Sequence, residues 1–551
     1  MKKKTATALI ATGLIFLHLS NFIPYAEIYK FIKIIEMRYI FSIIGVVLIV
    51  TPFLLANSTR NKPDKPRTIS FWWLLIGSIV VLISTWASIY WLLSEAEEGQ
   101  RIDAIRTGLT VGAGTGGAMA LLISARRQWL GEQTFLHEIE VSKENANDAL
   151  EKRITELQAN AANQISSESA PTRLSGLYTL ERLAQDNPRH RQVIINIICA
   201  YLRMPFNPKR EDLEEGDDPQ KEIFNHHEQE REVRLAAQDI LALHLRETPN
   251  GTSQEDQYWP GMRLNLSRAT LIDIDFSGCT TFKSHFEKAE FHGRTNFSKA
   301  SLGSASFEQA RFTNQTDFSD CQFTGTATLR GVEFLERCVL NNATFLGDAD
   351  FRECKIRGDL DFENTSFLGG VDFSQSEFEN GGHFYRCKFD GNAAFARCEF
   401  KKSSIFIECD FKKKAEFVIS NFADAGVFDR SRFHGTTSFK GSKFTGDAHF
   451  EEVSFQNYAS MKAIKVQYTG RFEGASFNRA SFSGARFGNT ATFEGATLSG
   501  DINLAGAHFS WGPLVEKTIV IKSERQIWPK NFSVEWQSKT EGFLIGPNQE
   551  G

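Results

Sequence analysis

The chain has 551 residues, enough for several domains, and a net charge of −5 that is close to neutral for that size. Its charge balance therefore carries no strong signal for nucleic acid or an acidic substrate. Eight Cys occur without a CxxC pair, which argues against zinc sites and thioredoxin-like chemistry and fits reduced thiols in a cytosolic compartment.

Four apolar segments, at about 8–24, 39–56, 71–93 and 107–125, make residues 1–128 a membrane anchor of four expected transmembrane helices. Segments two to four are long enough to span about 30 Å of hydrocarbon. The first follows Lys2, Lys3 and Lys4 and has the look of a signal peptide, but no small-residue cleavage site follows it, so a retained span is expected. The connection 57–68 carries Arg60, Lys62, Lys65 and Arg67, whereas 94–104 carries Glu95, Glu97, Glu98 and Asp103. The positive-inside rule then places the N-terminus, 57–68 and everything after 126 in the cytoplasm, with Lys30 and Lys33 as a mild contradiction.

The fourth segment contains GAGTGG, residues 112–117, which satisfies GxGxxG, but it lies in an apolar helix rather than after a strand. Gly108, Gly112 and Gly116 recur every four residues on one helix face, where missing side chains admit a neighbouring helix. That face packs either within the bundle or between subunits of a homo-oligomer. No Asp, Glu or His lies near the middle of segments two to four, which disfavours transport.

Residues 129–170 read as a helical linker, rich in Ala, Glu, Lys and Gln, and 171–250 as a small all-helical module. Leu174, Leu177, Leu180 and Leu183 form one apolar face, and Asp186, Asn187 and Pro188 break the helix. Val193, Ile194, Ile197, Ile198 and Leu202 begin a second helix, and a third is expected over 228–247. The acidic run 211–218 reads as a solvated loop, His226 and His227 as a poor metal pair, and Arg231 and Arg234 as surface charges.

From Phe312 onward, large apolar residues form two interleaved series, each with a period of eleven, so that successive gaps alternate between five and six. One runs 312, 323, 334 and on to 477, and the other 318, 329, 340 and on to 472. Only Leu329, Leu340, Ile356, Met461 and Val466 replace Phe in them. Such a long period is the signature of a solenoid. A small residue sits two before most of these positions, as at Ala343, Cys354, Cys387, Ala393, Cys398, Ser404 and Cys409. The pair reads as one filling and one accommodating a narrow core, with Cys387 and Cys409 stacked one coil apart as free thiols. In the six-residue gaps, Gly325, Gly347, Gly358, Gly369, Asn380, Gly391, Asp424, Gly435, Gly446 and Asn457 follow the opening residue by two. Those residue types predict a left-handed bulge at that corner, broken at Glu336, Lys402 and Lys413.

Units such as ASFEQARF (305–312), GASFNRASFSGARF (474–487) and ATFEGATL (491–498) resemble the pentapeptide-repeat family. The resemblance implies a right-handed quadrilateral β-helix with four units per coil, assigned here to 251–509, with 510–551 as a C-terminal cap. Five-plus-six legs imply a 22-residue coil and around eleven coils. A left-handed hexapeptide β-helix would require a strict six-residue period, which is lacking. Phe282 and Phe286, four apart, predict an irregular coil. The open ends need covers: the helical module with Tyr258, Trp259 and Pro260 for the first, and the tail bearing Trp511, Trp528 and Trp536 for the last.

No catalytic set, metal cluster or phosphate loop is evident, so the fold class is multi-domain: transmembrane helices, a small all-α cytoplasmic module, then the all-β solenoid. The expected function is a non-enzymatic scaffold, without cofactors or catalytic residues. It is tethered to a bacterial cytoplasmic (inner) membrane by several spans and presents its C-terminal rod to a cytoplasmic protein partner. The family also contains DNA mimics that bind type II topoisomerases, but residues 264–509 hold 28 Lys and Arg against 31 Asp and Glu, which is not the acidic rod that mimicry needs. A regulatory subunit of a membrane pore or transporter is the further alternative.

Overall fold

The computed structural model describes residues 71–207, 218–247 and 257–546. The chain divides into two compact units, Met1–Lys152 and Arg153–Gly551. The expected spans at 8–24 and 39–56, the connection 57–68 and nearly all of the acidic run 211–218 lie outside the described residues.

In the first unit, helix α1 (Phe71–Glu95) contains the third expected span, and helix α2 (Arg101–Ile165) contains the fourth and runs on without a break through the linker, its end from Arg153 belonging to the second unit. The hydroxyls of Ser84, Thr85 and Ser88 donate back to carbonyls one turn earlier, so these polar side chains are satisfied within an apolar helix. A Cβ on Gly108 would collide with Ile89, and one on Gly112 with Thr85, whereas Gly116 faces open space. Two of the three stripe glycines thus let α1 and α2 approach within the chain itself. By length and composition, a segment of each helix could cross a membrane. Leu82, Ile83, Trp86, Tyr90, Leu109 and Leu121 are exposed along them.

After the end of α2 the second unit continues with α3 (Ala170–Asp186), opened by Pro171 and followed by a 3-10 turn at Pro188–His190. Next come α4 (Arg191–Leu202) and α5 (Asp218–Leu245), the latter starting well before the expected 228. Leu177, Leu180 and Leu183 pack with Ile194, Ile198, Leu202, Val233 and Ile240 in one core. Val193, expected within the apolar run of the second helix, is exposed. Arg234 corrects the surface-charge reading, being only 1% exposed. Its guanidinium donates to Glu230 at 2.8 Å, to the Leu202 carbonyl at 3.0 Å and to the Met204 carbonyl at 2.7 Å. The carbonyls that α4 leaves unpaired at its C-terminus supply acceptors that no surface position would offer.

From Arg263 the chain winds into a parallel β-solenoid with four walls. One ladder of twelve strands runs from Thr270–Ile272 to His508–Phe509, one more than the eleven coils expected. Opposite parts of the coil form a ten-stranded and a 23-stranded sheet, the latter covering two walls because several strands continue around a corner. Coil length is set by the leg lengths. Arg263 pairs with Lys283 and Ser301 with Gln322, but Ala327 pairs with Ala349 and Phe367 with Phe389, so coils lengthen from 20 to 21 to 22 residues. The spacing slip at 282–286 coincides with one of the continuous strands, Thr280–His285. It leaves Phe282 59% exposed with the Arg263 guanidinium 5.4 Å from its ring, while Phe286 enters the core.

Each two-residue strand turns one side chain inward and one outward, the period-two rule in its shortest form. The inward rings stack along the axis: Phe389 on Phe411 at 4.4 Å and Phe395 on Phe417 at 4.9 Å. Across the core, Phe395 meets Phe406 edge-on at 5.2 Å. These geometries suit the aromatic quadrupole, and full burial leaves no space for the polar tip of Tyr.

The left-handed residue is not where the glycines predict it. Positive φ recurs every eleven residues in the five-residue legs, at Asn342, Glu353, Asn364, Gln375, Arg386, Arg397, Glu408, Ile419 and Arg430, with φ between 55° and 65°. Each sits third between a ring residue and the small residue three on. At some the turn is closed, as in Ser376 N–H to the Phe373 carbonyl at 3.1 Å, and at others the small residue's N–H donates to a Ser hydroxyl of the next coil, as in Cys409 to Ser431 at 2.9 Å. Its own N–H donates to the next coil, as in Arg397 to Val418 at 2.9 Å, which offsets the strain. The glycines of the six-residue legs answer to crowding instead. A Cβ on Gly391 would run into the Gly369 carbonyl, and one on Gly369 into Gly347. Lys402, at an exception, donates to Asn380 of the coil before at 2.8 Å.

The first coil is sealed by two glutamines. The Gln238 amide donates to the Ile272 carbonyl at 2.7 Å and accepts its N–H at 2.9 Å. Gln192 does the same for Arg263, with both bonds at 2.9 Å. A helix side chain thereby completes the strand edge that a further coil would have paired. Trp259 is fully buried there and stacks on His244 at 3.8 Å, whose ring nitrogens contact the Gln257 carbonyl and Glu181. At the far end Ile519–Ile521 still pairs in parallel with Thr497–Leu498, and Glu541–Ile545 then closes the sheet antiparallel. Of the tail tryptophans only Trp528 packs on the core; Trp511 and Trp536 are exposed.

Candidate interaction surface

Every Cys is free and buried. Seven occupy the inward small position, but they do more than fill space. The thiols of Cys387 and Cys409 donate to the carbonyls of Phe362 and Phe384 at 2.7 and 2.9 Å, in the coil before. Ser376 and Thr365, in equivalent positions, donate to Phe351 and Leu340 at 2.6 and 2.7 Å. Cys is therefore standing in for a hydroxyl that braces a turn carbonyl. Burial pushes the Cys199 thiol up to about 11 and those of Cys279 and Cys354 up to about 12, so none is a ready nucleophile.

The outward rows carry the chemistry that solvent and partners meet. Along the ten-stranded wall the outward residues run Asp317, Val339, Asp361, His383, Ile405, Val427, His449, Arg471 and Thr492, one per coil. Charges pair mostly between neighbouring coils. Arg337 binds Asp361 at 2.7 Å, His383 binds the same carboxylate at 2.9 Å, and Arg386 binds Glu408 at 2.8 Å. The hydrogen bond from His383 is the main reason that the Asp361 carboxyl lies below its ordinary value, and the same bond holds the His383 imidazole above its own.

Lys401 and Lys412 lie on opposite walls, as half a coil requires. The first pairs with Glu377 and the second with Asp410 at 2.6 Å. His227 contacts the Asn207 carbonyl at 2.6 Å and stacks on Phe206. The grouping that sequence reading missed is Asp429, His449 and Glu451, whose donor atoms all lie within 4.8 Å of one another. Residues 20 and 22 apart gave no local signal; only the 22-residue coil brings them together.

A family model described as pentapeptide repeats (9 copies) matches residues 276–322, 286–333, 340–387 and 472–512. No curated protein and no solved structure matches the chain. The matched segments fall within the parallel four-walled coils, so the solenoid of this chain is built of pentapeptide repeats.

Proposed function

We propose that the protein is a non-enzymatic scaffold, tethered to the cytoplasmic membrane by its apolar helices and presenting the solenoid to a cytoplasmic protein partner. The observation that carries this reading is the twelve-rung ladder, whose interior of stacked Phe fixes outward side chains at one rung spacing, about 4.8 Å. A rigid row of this kind pre-orders its side chains, so a partner meets little entropic cost on the rod's side. Cross-coil ion pairs such as Arg337 with Asp361 and Arg386 with Glu408 break up single-sign fields, which favours a protein partner over mimicry of nucleic acid.

The test places a photoreactive phenylalanine analogue at Val339, Ile405 or Val427 of the full chain in native membranes, with Lys412 on another wall as comparison. One discrete adduct recurring along a single wall is expected. Absence of any adduct, or recovery of the chain in the soluble fraction, would overturn the reading.

A further inference from the structure

At one corner of the ten-stranded wall, Asp429, Glu451 and Glu473 occupy equivalent positions on three successive coils. The pairings of Val427 with His449 and of His449 with Arg471 fix this register. His449 projects from the strand just before Glu451. The donor atoms of Asp429, His449 and Glu451 lie within 4.8 Å of one another, and all three side chains are partly buried.

The corner is poorly neutralised by the protein itself. Arg471 stands 3.7 Å from Asp447 and 3.9 Å from Glu451, beyond hydrogen-bond length, and its Nε is sealed from solvent without a partner. His449 is likewise 3.9 Å from Asp447 and 3.8 Å from Glu451. The nearest good contact, Glu451 N–H to Asp429 Oδ1 at 2.9 Å, uses one carboxylate oxygen and leaves the other. Beside the cluster, Glu473 Oε2 is also sealed from solvent with no hydrogen-bond partner. Elsewhere on the rod some charged pairs close at 2.7 to 2.8 Å, as at Arg337 with Asp361 and Arg386 with Glu408, while others stand at 3.5 to 3.9 Å, as at Arg430 with Glu408 and Arg352 with Asp372. A buried carboxylate oxygen without a donor is costly, and an ion is one of the few things that satisfies it.

We propose that Asp429, His449 and Glu451 form a divalent transition-metal site, with Glu473 positioned beside it. One imidazole and two carboxylates suit Zn²⁺, which binds such donors at about 2.0–2.2 Å and accepts three protein ligands with a fourth position open. Tetrahedral donors around that ion lie about 3.4 Å apart, so the donor atoms must close from a spread of up to 4.8 Å to bind it. Because the ligands come from adjacent coils, a bound ion cross-links the rungs. A carboxylate or imidazole from a partner can fill its open position.

The test uses the full chain in detergent, stripped with a chelator and titrated with ZnCl₂ by calorimetry, with folding of each variant checked by circular dichroism. One Zn²⁺ per chain and a raised thermal midpoint are expected for the wild type. H449A and D429N should each weaken binding at least tenfold and lose the midpoint shift, while H383A, on the same wall, should bind as the wild type does. Absence of uptake, or equal uptake by wild type, H449A and D429N, would mean an adventitious ion only and would overturn the site.

Discussion

Phe395 and Phe282 are both phenylalanines of the repeat, yet truncating them should have opposite consequences. Phe395 is fully buried, stacked on Phe373 and Phe417 at 4.9 Å each, and met edge-on by Phe384 at 5.4 Å and Phe406 at 5.2 Å. Burying a Phe removes roughly 170 Å² from water, worth about 4 kcal/mol at about 25 cal/mol/Å². The cavity left by Phe395→Ala is lined by rings pinned to their own coils, so collapse recovers little of that cost. The expected loss is therefore about 4–5 kcal/mol, at the upper end for Phe→Ala. Phe282 is 59% exposed, with the Arg263 guanidinium 5.4 Å from its ring, so Phe282→Ala should cost under ~1 kcal/mol. Hydrogen exchange of the full chain in detergent reads both, because stability in a solenoid is local to neighbouring repeats. Amides over 371–427 should exchange about a thousandfold faster in Phe395→Ala, as each tenfold is about 1.4 kcal/mol. Equal effects of the two substitutions would refute the ladder as the source of stability.

Ile419 is β-branched, exposed and held at φ 59°, so Ile419→Gly should stabilise the chain by about 1 kcal/mol; a lower thermal midpoint would count against the turn assignment. Gln238→Leu leaves the Ile272 N–H and carbonyl without partners and should cost about 2–3 kcal/mol, seen as faster exchange confined to the first coils. None of the eight thiols should react with a disulfide reagent in the native chain, and Cys387→Ser should be tolerated better than Cys387→Val because only Ser can still donate to the Phe362 carbonyl.

The His383–Asp361 pair has two pH limits. The contribution of the raised His383 is complete below its ordinary 6.5 and fades as pH rises through the raised value. That of the lowered Asp361 is complete above its ordinary 3.8 and fades as pH falls through the lowered value. Both groups are partly solvated, so the effect should stay under ~1 kcal/mol. Thermal midpoints should decline from about pH 6.5 upward in the wild type and less steeply in His383→Ala, and identical slopes would sink the assignment.

The eleven-residue period was legible because every core position makes the same demand, a wholly apolar ring at a fixed phase. Phe395, Phe400, Phe406 and Phe411 could each be placed inward without knowing the coil. The small companions were equally readable, although the donation from Cys387 to Phe362 was not, since it depends on which carbonyl the preceding coil presents. The glycine rule misled for a physical reason. Glycine tolerates positive φ and also admits close backbone approach, and the sequence does not distinguish the two uses at Gly391.

Sequence by itself determined the chain's periodicity, its inward residues and its apolar helices, because each follows from local spacing and side-chain chemistry. Tertiary structure alone decided what depends on stacking one coil against another. It placed the left-handed turn at Arg397 rather than Gly391 and buried Arg234 against the end of α4. It turned Gln192 and Gln238 into substitutes for a strand edge. It also brought Asp429, His449 and Glu451 together, since residues 20 and 22 apart become neighbours only when the coil closes at that length.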